Sequence, residues 1–273
     1  MLTRKIFEEQ LEKTIDKYYD STKDLVYQAK GFRFCQGLPV CALVDYYDID
    51  LILESGVCRG MSTEIFCSYT KSDGVHVIGI DKDVYSADKE IPFEQGIFNS
   101  TGKRLGPQYP NLKLIHGDSS IVMPEILKEN THLNIAIVID GPKFESALDL
   151  ARSCMQYENV KFFAFDDAAK ETDYHFVDRL DSCFFYTDET WYYDKYGWLD
   201  DVKHESYSEL EKDPVWPTKT LEALLEKRRS SNYPQGGGLG IAINGKFEKT
   251  NQNYLTGPIA KKDWPTIPDK YRR

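Results

Sequence analysis

The sequence contains no long hydrophobic run. Its longest strongly apolar stretch, residues 135–139, is about a quarter of the ~20 residues that a membrane-spanning helix needs, so no membrane partner is expected. Zinc and disulfide frameworks are lacking as well. The six cysteines, Cys35, Cys41, Cys58, Cys67, Cys154 and Cys183, form no CxxC pair and no metal-type spacing, and reduced, mostly buried thiols are the expectation. Positive charge is in deficit: 34 Lys and Arg stand against 44 Asp and Glu, for a net charge of -10. That balance argues against a broad footprint for nucleic acid or anionic lipid. After Met1, the acids Glu8 and Glu9 interrupt any apolar signal-peptide core, and the expected location is cytoplasmic. There is no internal repeat or low-complexity tract. What the chain does have is 41% hydrophobic residues, 13% aromatic residues and 18 Gly over 273 positions, a globular composition with enough length to bury a core.

Residues 7–26 place Leu11, Ile15, Tyr18, Tyr19, Leu25 and Val26 at helical spacing among charged neighbours, as one or two amphipathic helices do. Short apolar runs then alternate with helical patterns. Residues 49–53, 75–80, 112–115, 135–139 and 161–165 read as strands, and residues 62–68, 121–127 and 147–157 as helices. Ser62 or Thr63 is the expected cap of the first of these helices. Such alternation implies right-handed crossovers and a parallel sheet covered on both faces. Residues 184–193 and 240–244 are strand-like and would close the sheet with an antiparallel hairpin. The predicted fold class is therefore α/β: a Rossmann-like seven-stranded, mostly parallel sheet with helices on both faces, an antiparallel last strand and an N-terminal helical extension. The expected divisions are a helical extension over residues 1–45, a main domain over 46–250 and a basic, proline-containing tail over 251–273. Within the main domain, about residues 195–233 read as a lid, because Trp198, Pro214, Trp216 and Pro217 stand there among many charges.

Ligands of open parallel sheets bind outside the carboxyl ends of the strands. Each of the five predicted strands ends at or near an acid: Glu54, Asp81, Asp118, Asp140, and Asp166 with Asp167. The first turn, Glu54-Ser55-Gly56-Val57-Cys58-Arg59-Gly60, lets backbone approach a ligand closely at its glycines. It lacks the G-x-G-x-x-G of dinucleotide folds and suits a ligand without a pyrophosphate. Asp81 follows Glu54 by 27 residues, the separation at which an acid ending the second strand meets ribose hydroxyls.

In these residues the chain resembles the class I S-adenosylmethionine-dependent methyltransferases, over residues 49–168 and on through the closing strands to Asn244. The resemblance implies S-adenosylmethionine as cofactor. Glu54, Gly56 and Gly60 would form its methionine and ribose side, Asp81 would bind ribose, and Asp118 with Ser119 would lie by the adenine. Cys58 departs from the pattern, since many members carry glycine there, and Ser55 is also unusual.

Asp140-Gly141-Pro142-Lys143 and Asp166-Asp167 bring a narrower resemblance, to metal-dependent small-molecule O-methyltransferases of the catechol type. These carry an Asp after the fourth strand with a Lys three residues on, and an acid pair or Asp-Asn after the fifth. Sugar O-methyltransferases are similar too, through Asp140-Gly141 and the run Phe144-Glu145-Ser146. Three carboxylates at neighbouring strand ends repel one another unless a cation lies among them, and oxygen-only ligands favour Mg²⁺. The expectation is thus Mg²⁺ on Asp140, Asp166 and Asp167, with Lys143 or His175 as the base and a hydroxylated small molecule, a saccharide favoured, as acceptor. Self-association into a homo-oligomer stays open. Two other readings share the sheet: a non-catalytic binding or scaffold protein, and a dinucleotide oxidoreductase, which fits the first loop poorly.

Overall fold

The sheet is built from β1 (Leu51–Ser55), β2 (His76–Asp81), β3 (Leu112–His116), β4 (Ile135–Ile139), β5 (Val160–Phe165), β6 (Cys183–Tyr186) and β7 (Gly240–Ile243). The structure is a computed structural model and describes residues 1–25, 32–84, 92–168, 175–200, 238–250, 253–255 and 265–272. The strand order is β3-β2-β1-β4-β5-β7-β6. β1 pairs in parallel with both β2 and β4, with Leu51 beside His76 on one side and Ile135 on the other. β7 lies antiparallel between β5 and β6, so β6 runs the same way as the first five strands. The expected fold class is the observed one. Because the chain steps outward from β1 to β3 and then returns to β4 beside β1, the order reverses between β1 and β4. A crevice opens at the carboxyl ends of these two strands.

Strand alternation divides the core into two layers. Ile52, Val77, Val138, Phe162 and Ala164 face α1 (Arg4–Thr22), α2 (Phe34–Tyr46) and α3 (Met61–Thr70). Leu53, Ile137, Ile139, Phe163 and Phe165 face α5 (Ser119–Glu129) and α6 (Glu145–Met155), which supply Met123, Leu127, Leu148 and Ala151. α4 (Ile97–Leu105) packs near β3, and α7 (Thr190–Tyr196) follows β6. α2 is buried from Phe34 through Val44 and contains Pro39. A proline there leaves the carbonyl four residues earlier without its helical donor. That carbonyl, on Cys35, instead accepts the Tyr192 hydroxyl at 2.5 Å.

Three local expectations are corrected. Ser62 and Thr63 do not cap α3; Gly60 does, in a left-handed conformation (φ 73°), while the two hydroxyls donate to Glu54. The strand expected over residues 184–193 stops at Tyr186, and Thr190 onward is helical. The described beginning of the expected lid is core: α7 continues into a 3-10 turn, Gly197–Asp200, whose Trp198 is buried. The rest of that segment, residues 201–233, lies outside the described residues. The described end of the tail docks, with the Tyr271 ring 4.7 Å from Tyr19 and 4.6 Å from Trp198. Among the described residues no helix is long and apolar enough to cross a membrane.

Candidate active site

Gly56 brings two strand ends into direct backbone contact. Its φ is 88°, and a Cβ there would lie 2.2 Å from the Gly141 nitrogen, so no L side chain is tolerated. The amides of Asp140 and Gly141 both donate to the Ser55 carbonyl, at 2.8 and 2.7 Å. The turn after β1 is thereby laid against the turn after β4.

Asp81 holds the same turn from the other side. Its Oδ2 accepts the amides of Val57 (2.8 Å) and Cys58 (2.7 Å), and its Oδ1 accepts that of Asp83 (2.7 Å). The carboxylate therefore organises the glycine loop, and each oxygen keeps limited capacity for a further donor. Cys58 has φ 47°. The backbone here adopts the conformation glycine favours, and a non-glycine residue in it costs on the order of 1 kcal/mol. Cys58→Gly is accordingly expected to raise stability by about 1 kcal/mol in urea unfolding; an unchanged or lower midpoint would mean that thiol packing outweighs the strain.

Beside this turn lies a cavity of about 580 Å³, with Ser55, Gly56, Asp81, Asp118, Ser119 and Gly141 among its walls. Ser55 Oγ donates to Ser119 Oγ at 2.6 Å, joining β1 to the start of α5. Asp118 caps α5 through the Ser120 amide and forms a 2.5 Å ion pair with Lys82. The hydrogen bond from Lys82, followed by those from Ser120, lowers the Asp118 carboxyl below its ordinary value. Gly56, Asp81, Asp118 and Ser119 thus share one cavity. Glu54 and Gly60 are not on its wall. Glu54 is fully buried beneath the loop, where burial pushes its carboxyl up to about 8, and a Cβ on Gly60 would meet Leu105 and Thr101 at 2.7 Å.

Asp140, Asp166 and Asp167 do converge, and they do so on Lys143. The Lys143 ammonium lies 2.6 Å from Asp140 Oδ1, 3.0 Å from Asp167 Oδ2 and 3.6 Å from Asp166 Oδ2. Burial alone would favour neutral lysine, but the three carboxylates overcome it and hold the amine's pKa above its ordinary value. The cluster thereby holds Lys143 in its charged form. Gln36, near the start of α2, donates to Asp166 Oδ1 at 3.3 Å. Burial, then Asp140, pushes Asp166 well above the usual carboxylate range. The backbone around the cluster is strained: Phe144 has φ 52° and ψ -124°, and Asp167 has φ 58°. Strain of this sort persists only where the surroundings over-determine it.

His175 stands at the same edge of the sheet, its amide bonded to the Ala168 carbonyl (2.9 Å), one residue past Asp167. Its Nε2 is 2.9 Å from Asp188 Oδ2. The ring lies 3.9 Å from Tyr254 and 4.3 Å from Tyr186. Asp188 is fully buried, and its other oxygen has no hydrogen-bond partner among the described residues. Sequence reading missed Asp188. The available signal was position: it follows β6, so it extends to a sixth strand the rule that each strand ends near an acid. Gln36 was missed as well, because nothing in sequence placed α2 against β5.

No family model matches the chain, and no curated protein matches it. Solved structures do. An O-methyltransferase from Bacillus cereus in complex with SAH has a TM-score of 0.41 at 13% identity, covering 86% of this chain and 90% of the other. The O-methyltransferase TomG from Streptomyces achromogenes, involved in tomaymycin synthesis and in complex with SAM, has a TM-score of 0.39 at 12% identity over 86% and 89%. An SAH-bound methyltransferase from Podospora anserina gives 0.39 at 14% identity over 88% of each chain. Likeness at this level does not extend to chemistry or substrate.

Proposed function

We propose that this chain transfers a methyl group from S-adenosylmethionine to a hydroxyl of a small molecule. The observation that carries the reading is the cavity at the β1–β4 switch point, walled by Gly56, Asp81 and Asp118, with an acid-rich edge directly beside it. The cavity fits the cofactor: Gly56 lies on its wall where the turns after β1 and β4 meet, Asp81 ends β2 where ribose hydroxyls are met, and Asp118 with Ser119 closes the far side. S-adenosylmethionine, when bound, supplies an activated methyl group. The chain's own residues then have three tasks. The turn after β1 positions the cofactor, His175 accepts the proton of the acceptor hydroxyl, and Lys143 fixes the carboxylates at the end of β5 as the acceptor's floor. Asp188 acts through His175, since a buried carboxylate on one ring nitrogen sets the tautomer and orientation of the other.

A resident Mg²⁺ does not fit the residues as they are folded. The cation position among Asp140, Asp166 and Asp167 is taken by Lys143, and among the described residues no group of three such side chains is arranged to hold a metal. Of the run that carried the saccharide resemblance, the Phe144 ring packs on Phe176 at 5.9 Å, Glu145 pairs with Arg152 and Arg179, and Ser146 lines the cavity. The proposal stops at a hydroxylated small molecule.

Calorimetry with S-adenosylmethionine, with NADH as the control ligand, tests the cofactor assignment. Wild type should bind the former and not the latter. Asp81→Asn, which keeps the side chain's shape, should bind about 5- to 150-fold more weakly, the loss of a charge-assisted hydrogen bond of about 1–3 kcal/mol. No heat and no thermal shift with wild type would leave the fold without this cofactor.

A further inference from the structure

We propose that the Lys143 ammonium is the resident cation of the Asp140, Asp166 and Asp167 cluster and keeps divalent cations out of it. One oxygen from each of three acids on two strand ends surrounds a single nitrogen, at 2.6, 3.0 and 3.6 Å. A metal ion taking those same three oxygens, with Mg²⁺–oxygen distances of about 2.0–2.1 Å, would come against the ammonium that already holds them. Each neutralises the same mutual repulsion, and each repels the other.

Lys143 is also held in place rather than free to leave. It is three residues from Asp140, and the next residue, Phe144, is fixed at three points. Its carbonyl accepts the amides of Ala147 and Leu148 at the start of α6, both at 3.1 Å, and its ring packs against Phe176. That anchorage maintains a φ of 52° at Phe144, a conformation a phenylalanine does not otherwise adopt. The lysine's backbone is thereby set with its side chain directed into the cluster. The inference concerns the same edge as the methyl-transfer reading, but its readout is metal occupancy and not turnover.

The experiment is Mn²⁺ titration followed by electron paramagnetic resonance on wild type, Lys143→Met, Lys143→Gln and Lys143→Arg, with S-adenosylmethionine calorimetry on the same samples. Lys143→Met should bind one Mn²⁺ at least tenfold more tightly than wild type, and Lys143→Arg, which keeps the charge, should resemble wild type. Lys143→Gln gives the same comparison should the methionine variant fail to fold. Wild type binding Mn²⁺ as tightly as the charge-removing variants would overturn the inference. So would the absence of Mn²⁺ binding in every folded variant, because the cluster would then not be a cation site at all. If S-adenosylmethionine fails to bind while the Mn²⁺ difference appears, the methyltransferase reading falls and the lysine inference stands.

Discussion

His175→Asn is expected to lower the turnover of methyl transfer by roughly 10²- to 10⁴-fold, the range supplied by a positioned general base, and to leave S-adenosylmethionine affinity unchanged. Asparagine is chosen because His175 has φ 56° and asparagine tolerates that conformation better than other non-glycine residues. The comparison needs a second variant, since the His175 ring also packs between Tyr186 and Tyr254. Asp188→Asn keeps that packing and changes the partner of Nε2, so a positioning role predicts a loss in turnover with little change in KM or melting temperature. If both variants turn over at the wild-type rate on an acceptor that wild type methylates, the proton goes elsewhere and the dyad is structural. We assign the proton to His175 rather than Lys143 because three carboxylates favour the charged form of the lysine, and a base must be neutral before it can accept a proton.

The strands were legible because each is a short apolar run punctuated by an acid or a glycine, and the ends of β4 and β5 fall within a residue of where patterning puts them. α2 was not legible. A helix buried on every side from Phe34 to Val44 has no polar face to reveal a period, and Pro39 argues against a helix by local rules. Only the tertiary partner Tyr192, 153 residues further along the chain than Pro39, makes that proline acceptable. The acid cluster was half legible. Sequence placed three carboxylates at neighbouring strand ends and inferred Mg²⁺ from their repulsion; in the fold the ammonium of Lys143, from the same Asp140-Gly141-Pro142-Lys143 turn, lies among them. Ser62 and Thr63 show the same limit. Their side chains suit an N-cap, yet the helix starts ahead of them at Gly60 and their hydroxyls donate to a buried carboxylate.

That carboxylate, Glu54, gives the fold a dependence on pH. In the unfolded chain its carboxyl titrates near 4.5, while in the fold burial raises it to about 8. Between those values the folded protein retains a proton that the unfolded chain has released. The group's contribution is therefore fully present below the unfolded value and is lost as pH rises through the folded one. The expected slope is a loss of roughly 1.4 kcal/mol per pH unit, on the order of 5 kcal/mol across the window. Glu189, raised to about 7 by burial, contributes in the same direction, so the diagnostic quantity is a difference between variants. Urea unfolding of wild type and Glu54→Gln at pH 5, 7 and 9 should show the wild type losing stability with pH more steeply, since glutamine can bond Ser62 and Thr63 at every pH without acquiring charge. Parallel pH profiles for the two proteins would mean that Glu54 is ionised in the fold at neutral pH. In that case the Ser62 and Thr63 hydroxyls stabilise a buried anion directly beneath the glycine turn, and the electrostatics of the cofactor loop would have to be rebuilt around that charge.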